Sequence, residues 1–171
     1  SQSVVKTICG TDIWKKITNF LVIWKKYIIF AANLNNVRMR LEFIKHDGGR
    51  SNYFKASNVG DCVTRAIAIV TERDYKEVYK IVKRLSGESP RNGIKSSKVK
   101  KIMQYFGGTW VPLSGIGTGC TTHLTANEIP MQGKMICKLS HHVTAIIDGV
   151  NYDTYDSSRN GSRCVYGYWK F

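Results

Sequence analysis

The spacing of apolar residues changes several times along the chain, and each change marks an element. From Met39, "MRLEFIKH" alternates apolar and polar side chains and predicts a strand, closed by the turn "HDGGRS". An extended approach, "NYFKASNVGD", then leads into an apolar run of helical character that opens at Cys62. A second helix is predicted over 72–85, with Tyr75, Val78, Tyr79, Val82 and Leu85 on one face. Thr71 and Asp74 resemble a capping box at its start. A third helix, over 97–106, turns Val99, Ile102, Met103 and Phe106 inward and stops at "GG". After a strand in "GGTWVPL" comes a loop rich in Gly and Thr, 114–122. Its G-x-G-x-G fragment lacks the strand–loop–helix setting and downstream acid of a phosphate loop. It reads as a flexible loop bordering a site. The end of the chain is strand-rich: "KMICKLS", "HHVTAIID", "VNYDTYD" and "RCVYGYWKF". Asp148-Gly149 between two apolar runs predicts a hairpin.

Residues 1–38 follow a different pattern. "WKKITNFLVIWKKYIIFAA" is apolar but broken by Lys25 and Lys26, leaving pieces shorter than the roughly 18–20 residues of a membrane-spanning helix. Trp14, Ile17, Leu21, Trp24 and Ile28 recur at helical spacing, so this stretch suits a helix packed on a domain. The alternative is a basic amphipathic helix that touches a membrane surface through residues 14–32. No secretory cleavage pattern follows it. Met39 is the first methionine, and the expected organisation is a basic, apolar extension over 1–38 and a compact module over 39–171.

Composition narrows the class. A chain of 171 residues with 43% hydrophobic and 22% charged positions can bury a real core and is not of the disordered kind. The net charge of +14 makes nucleic acid or an anionic membrane a possible partner, although no nucleic-acid motif is present. The five cysteines, Cys9, Cys62, Cys120, Cys137 and Cys164, are odd in number and irregularly spaced. That predicts no disulfide framework but mostly buried, inert thiols in a reducing, cytoplasmic setting. Cys120 and His123 form a Cys-x-x-His without two further well-placed ligands, so no metal site and no cofactor are expected.

The candidate chemistry centres on Cys62. A cysteine nucleophile needs a base to make the thiolate and a third group to orient that base. A helix N-terminus also lowers a thiol's pKa through its unpaired N–H groups and dipole. Among the four histidines, His46 falls in a turn and His123 in the Gly-rich loop, while His141 and His142 start a strand. If Asp148 and Gly149 are the central turn residues, Ile147 faces Val150 and Thr144 faces Asp153. His142, Thr144, Asp153 and Tyr155 then share a face, with Asp153 diagonal to His142. His141 falls on the opposite face with Asp156. The preferred set is Cys62, His142 and Asp153, with His141 and Asp156 as the alternative base and acid; a one-residue slip in the turn would exchange them.

This order, a cysteine on a helix followed by His and Asp on successive strands, resembles the papain-like cysteine peptidase fold in its compact bacterial forms. Examples are the peptidase domains of bacteriocin exporters and small cell-wall endopeptidases. More narrowly, "HDGGRSNYFKASNVGDCVTRAIAI", "KLSHHVTAIIDGVNYDTYD" and "RCVYGYW" look like a family of small uncharacterised phage and bacterial proteins over residues 39–171. The resemblance implies an α+β fold, with a helical layer opening at the cysteine and packed on an antiparallel sheet carrying His and Asp. It implies a thiol protease or related hydrolase acting on a protein or peptide substrate, with Cys62 as nucleophile, His142 as base and Asp153 as orienting acid. Papain-like enzymes often place Gln six residues before the cysteine; here that position is Ala56. Asn58, or backbone N–H groups around Asp61 and Cys62, would then serve the oxyanion. "GDCVTRA" is also similar to the "DGDCLFRA" stretch of ovarian-tumour-type deubiquitinases, with Val59 in place of the first Asp. The competing class is a catalytically silent basic protein that binds nucleic acid or a membrane surface on the same fold.

Overall fold

The computed structural model describes residues 39–55, 59–115 and 117–171. The extension over 1–38, with its membrane-surface alternative, lies outside the described residues, as do Ala56 and Asn58. Among the described residues the fold is α+β, with three helices and one six-stranded mixed sheet. In chain order the elements are β1 (Glu42–Lys45), α1 (Cys62–Thr71), α2 (Tyr75–Ser86), α3 (Ser96–Tyr105), β2 (Thr109–Pro112), β3 (Lys134–Leu139), β4 (His142–Ile147), β5 (Val150–Asp153) and β6 (Gly167–Lys170). The sheet order is β1-β5-β4-β3-β6-β2.

The expected antiparallel sheet is corrected at one edge, where β1 runs parallel to β5. Parallel neighbours need a long crossover, and the three helices and three strands between β1 and β5 supply it. The β4–β5 hairpin has the expected register, Ile147 opposite Val150 and Ala145 opposite Tyr152. Asp148 and Gly149 both take positive φ (46° and 77°), the geometry that matches the twist of the flanking strands.

α1 is buried on nearly every side, Val63 through Val70, as expected of a helix whose sequence is apolar all round. One face of the sheet, through Ile136, Val143, Ala145 and Trp169, packs with α1, α2 and α3 in the larger core. The other face carries a second core, in which Leu124, Ile129 and Val165 from irregular segments cover Met135, Cys137 and Ile146. α2 begins three residues later than its periodicity suggests. Asp74 is the N-cap, accepting from the Lys76 and Glu77 N–H groups at 2.9 and 3.1 Å. Thr71 closes α1 instead of capping α2, its hydroxyl donating to the Ile67 carbonyl.

The reading of the cysteines as free thiols is corrected by a disulfide between Cys120 and Cys164, 44 residues apart. The pairing comes from a bridge between His123 and Cys164 that brings the Gly-rich loop against the strand-rich end of the chain, a non-local contact that no spacing motif signals. His123 Nδ1 lies 2.9 Å from Glu128 Oε2, so both halves of the Cys-x-x-His are engaged in other ways. No described helix is long and apolar enough to cross a membrane.

Candidate active site

The N-terminus of α1 is fixed by close backbone approaches. Gly60 packs against Gly93, where an added Cβ would meet the Gly93 nitrogen at 3.0 Å, and its N–H donates to the Arg91 carbonyl at 2.8 Å. Gly48, at φ 68°, lies on the Arg65 carbonyl with room for no side chain (3.0 Å to an added Cβ). These contacts explain why glycines stand in the turn before the helix and in the loop that lies across it.

Asp61 precedes the helix but does not cap it. Its buried carboxylate accepts from Arg65, one turn on in α1, and from the Tyr75 hydroxyl, and Arg50 Nε lies 2.9 Å from it. Burying a carboxylate is tolerable only with such partners. Burial and the Asp61 charge together hold the Tyr75 phenol protonated well above its ordinary range. Because Asp61 is occupied in this way, the first-turn N–H groups of α1, that of Cys62 included, have no side-chain cap.

Cys62 is half-buried at the first position of α1 and faces the start of β4. His142 Nε2 lies 2.6 Å from Asp153 Oδ2, which leaves Nδ1 as the ring nitrogen for the thiol. Burial works against a charged sulfur, but hydrogen bonding and charge from His142 outweigh it. With help from the Val143 backbone and Arg65, they bring the Cys62 pKa below its ordinary value. Burial alone would depress His142; the hydrogen bonds to Asp153 and Cys62 instead push it up to about 9. Burial likewise opposes charge on Asp153, yet His142, the Thr154 N–H at 2.7 Å and Arg65 hold its pKa low. The two shifts point the same way, toward a thiolate–imidazolium pair.

The structure therefore brings Cys62, His142 and Asp153 together. His141 and Asp156 make no hydrogen bond or ion pair with each other. Asp156 accepts instead from the Ser158 N–H, and His141 takes a left-handed backbone conformation at the turn into β4. Cys137 is fully buried in the second core, where desolvation pushes its thiol up to about 12.

Sequence reasoning missed Arg65 and Asp61. Arg65 is 5% exposed, donates to Asp61 and approaches Asp153 Oδ1 at 3.4 Å, tying the helix start to the acid behind the histidine. The available signal was a lone arginine within the apolar run "CVTRAIAIV", four residues after an aspartate.

A cavity of about 750 Å³ opens over Cys62 and His142, walled by Phe54, Val59, Val63, Tyr155 and Trp169 among others. A second, of about 520 Å³, shares His141, His142 and Tyr155 with it and continues to Arg159 and Arg163. The Tyr155 ring lies 5.3 Å from the His142 ring at the junction. The expectation that the Gly-rich loop would border the site is not met: no described residue of 114–122 lines either cavity. No family model matches the chain, and neither the curated proteins nor the solved structures include a significant match.

Proposed function

We propose that this chain is a cysteine hydrolase of the papain-like kind, a peptidase, isopeptidase or amidase that works through an acyl-enzyme on Cys62. The observation that carries the reading is the convergence on one cavity of a helix-start thiol and an imidazole, with a buried carboxylate 2.6 Å behind that imidazole, the thiol pKa lowered and the imidazole pKa raised.

In this reading the Cys62 thiol gives its proton to His142, and the thiolate attacks the substrate carbonyl carbon to form a C–S bond. Negative charge develops on the carbonyl oxygen, which the uncapped N–H groups of the first turn of α1 can receive. The intermediate collapses with cleavage of the C–N bond, and His142 returns its proton to the departing amine. Water, deprotonated by His142, then attacks the thioester and releases the acid, restoring the thiol. Asp153 holds the ring orientation and favours the imidazolium throughout. Hydrolysis, transfer and deamidation share this acyl-enzyme; they differ in the nucleophile that resolves it and the amine that leaves.

The test is to trap the intermediate. An activated acyl ester should add one acyl group to Cys62, read by intact mass and peptide mapping, and the adduct should decay over time. Cys62→Ala should carry no adduct and no turnover. An adduct confined to another cysteine, with Cys62 inert, would refute the proposal.

A further inference from the structure

The charges around the candidate site are markedly one-sided. The larger cavity is lined by five Lys or Arg side chains and one carboxylate, Asp47; the smaller by Arg159 and Arg163 with no carboxylate. Across the whole chain the ratio of basic to acidic residues is only 26 to 12. Two of the five, Arg50 and Arg65, are matched by the buried carboxylates of Asp61 and Asp153. Asp47, whose oxygens accept from the backbone N–H groups of Gly49 and Ser51 at 2.9 and 2.8 Å, offsets one of the remaining charges and leaves the lining cationic. Lys45, Lys55 and Lys138 in one cavity, and Arg159 and Arg163 in the other, have no carboxylate partner among the described residues. Lys138 lies over the Trp110 ring at 5.9 Å, and the Arg163 guanidinium donates to the Ser140 carbonyl.

The two cavities meet at His142 and Tyr155, so their cations stand on either side of the proposed reacting centre. We infer that the cleft selects acidic polypeptide, with carboxylate side chains on both sides of the carbonyl that Cys62 attacks. This rests on the cysteine-hydrolase reading above and adds the substrate's charge to it. Carboxylates entering both cavities would gain attraction from cations that have no carboxylate partner of their own. Basic side chains would be repelled there.

Three peptides with a central dehydroalanine, flanked on each side by two Glu, two Gln or two Lys, test this directly. The Cys62 thiol adds across the dehydroalanine double bond with no leaving group, and peptide mapping reads the rate at Cys62. Iodoacetamide, small and uncharged, reports separately whether Cys62 is a reactive thiolate. The Glu peptide should react faster than the Lys peptide by roughly tenfold, with the Gln peptide between, and the ratio should shrink as salt rises. Lys55→Gln combined with Arg159→Gln should cut the ratio at least threefold. Lys80→Gln with Lys101→Gln, the same loss of charge at exposed sites outside both cavities, should leave it unchanged. Equal or reversed rates, with iodoacetamide still alkylating Cys62, would overturn the acidic-substrate inference alone; an inert Cys62 would overturn the hydrolase reading as well. A ratio that falls equally in both double variants would overturn the local assignment in favour of whole-molecule charge. Protection of Cys62 by a mixed-sequence oligonucleotide, without a Glu-over-Lys difference, would replace it with a nucleic-acid groove.

Discussion

Arg65 in α1 reaches Asp153 at the end of β5, 88 residues away in sequence and 3.4 Å away in space. The same guanidinium donates to Asp61, so one buried cation joins the start of α1 to the carboxylate behind His142. Arg65→Met should therefore act in two ways. Removing one partner of a buried charge network destabilises by roughly 3–5 kcal/mol, measurable as a lower midpoint in urea. In the fraction that remains folded, an unsupported Asp153 should lower kcat more than it raises KM and shift the limbs of the pH profile. Arg65→Lys should recover part of the stability but not the bridging geometry, because an ammonium cannot span two carboxylates as a guanidinium fork does.

Asp153→Asn keeps the size of the side chain and removes its charge. The imidazolium loses its stabilisation, so the His142 pKa should fall from about 9 toward its ordinary value. Turnover should drop by roughly 10²–10⁴-fold with little change in KM. An NMR titration of the His142 ring, alongside steady-state kinetics, checks both parts.

The pH dependence follows from the directions of the two shifts. Activity in the ion-pair form requires Cys62 deprotonated and His142 protonated. It should rise through the lowered Cys62 pKa and fall again through about 9, where His142 loses its proton. An ordinary thiol would instead gain reactivity up to and beyond its unperturbed value of 9.0. A kcat/KM profile that rises monotonically to pH 10 would contradict the pairing.

The disulfide should matter to stability more than to chemistry. Closing a loop of 44 residues constrains the unfolded chain by up to about 4 kcal/mol. Cys120→Ser should accordingly lower the urea midpoint, and a dithiol reductant should lower the wild-type midpoint without altering that of Cys120→Ser. Cys164 lines the smaller cavity, so the variant's KM for substrates reaching that cavity is the value to compare.

Much of this arrangement could be read before the fold was known, for identifiable reasons. The three helices and the β4–β5 hairpin declare themselves through local pattern. Val78, Val82 and Leu85 keep helical spacing, and Asp148-Gly149 supplies the turn whose register puts Asp153 beside His142. That register offered two His/Asp pairs on opposite faces, His142 with Asp153 and His141 with Asp156, since side chains alternate strictly along a strand; which of them meets Cys62 is a contact made across the fold. What local pattern could not give were the contacts made across the fold. The parallel pairing of β1 with β5 depends on where a long crossover returns. The Cys120–Cys164 bond depends on two irregular segments meeting, and the Gly-rich loop that looked like a site border is drawn to that bond instead. Asp61 looked like part of a turn; its role as the anion between two arginines and a tyrosine exists only once α1 is buried.

The central claim is that His142 activates Cys62, and the rate of Cys62 alkylation against pH tests it most directly. Cys137, buried and with a pKa of about 12, provides an internal unreactive thiol, and peptide mapping resolves the two. The account predicts that iodoacetamide modifies Cys62 with a midpoint below the ordinary thiol value of 9.0 and far faster than Cys137, and that His142→Ala moves the alkylation midpoint up toward that of an ordinary thiol. A Cys62 midpoint at or above 9.0 in the wild type, unchanged by His142→Ala, would contradict it.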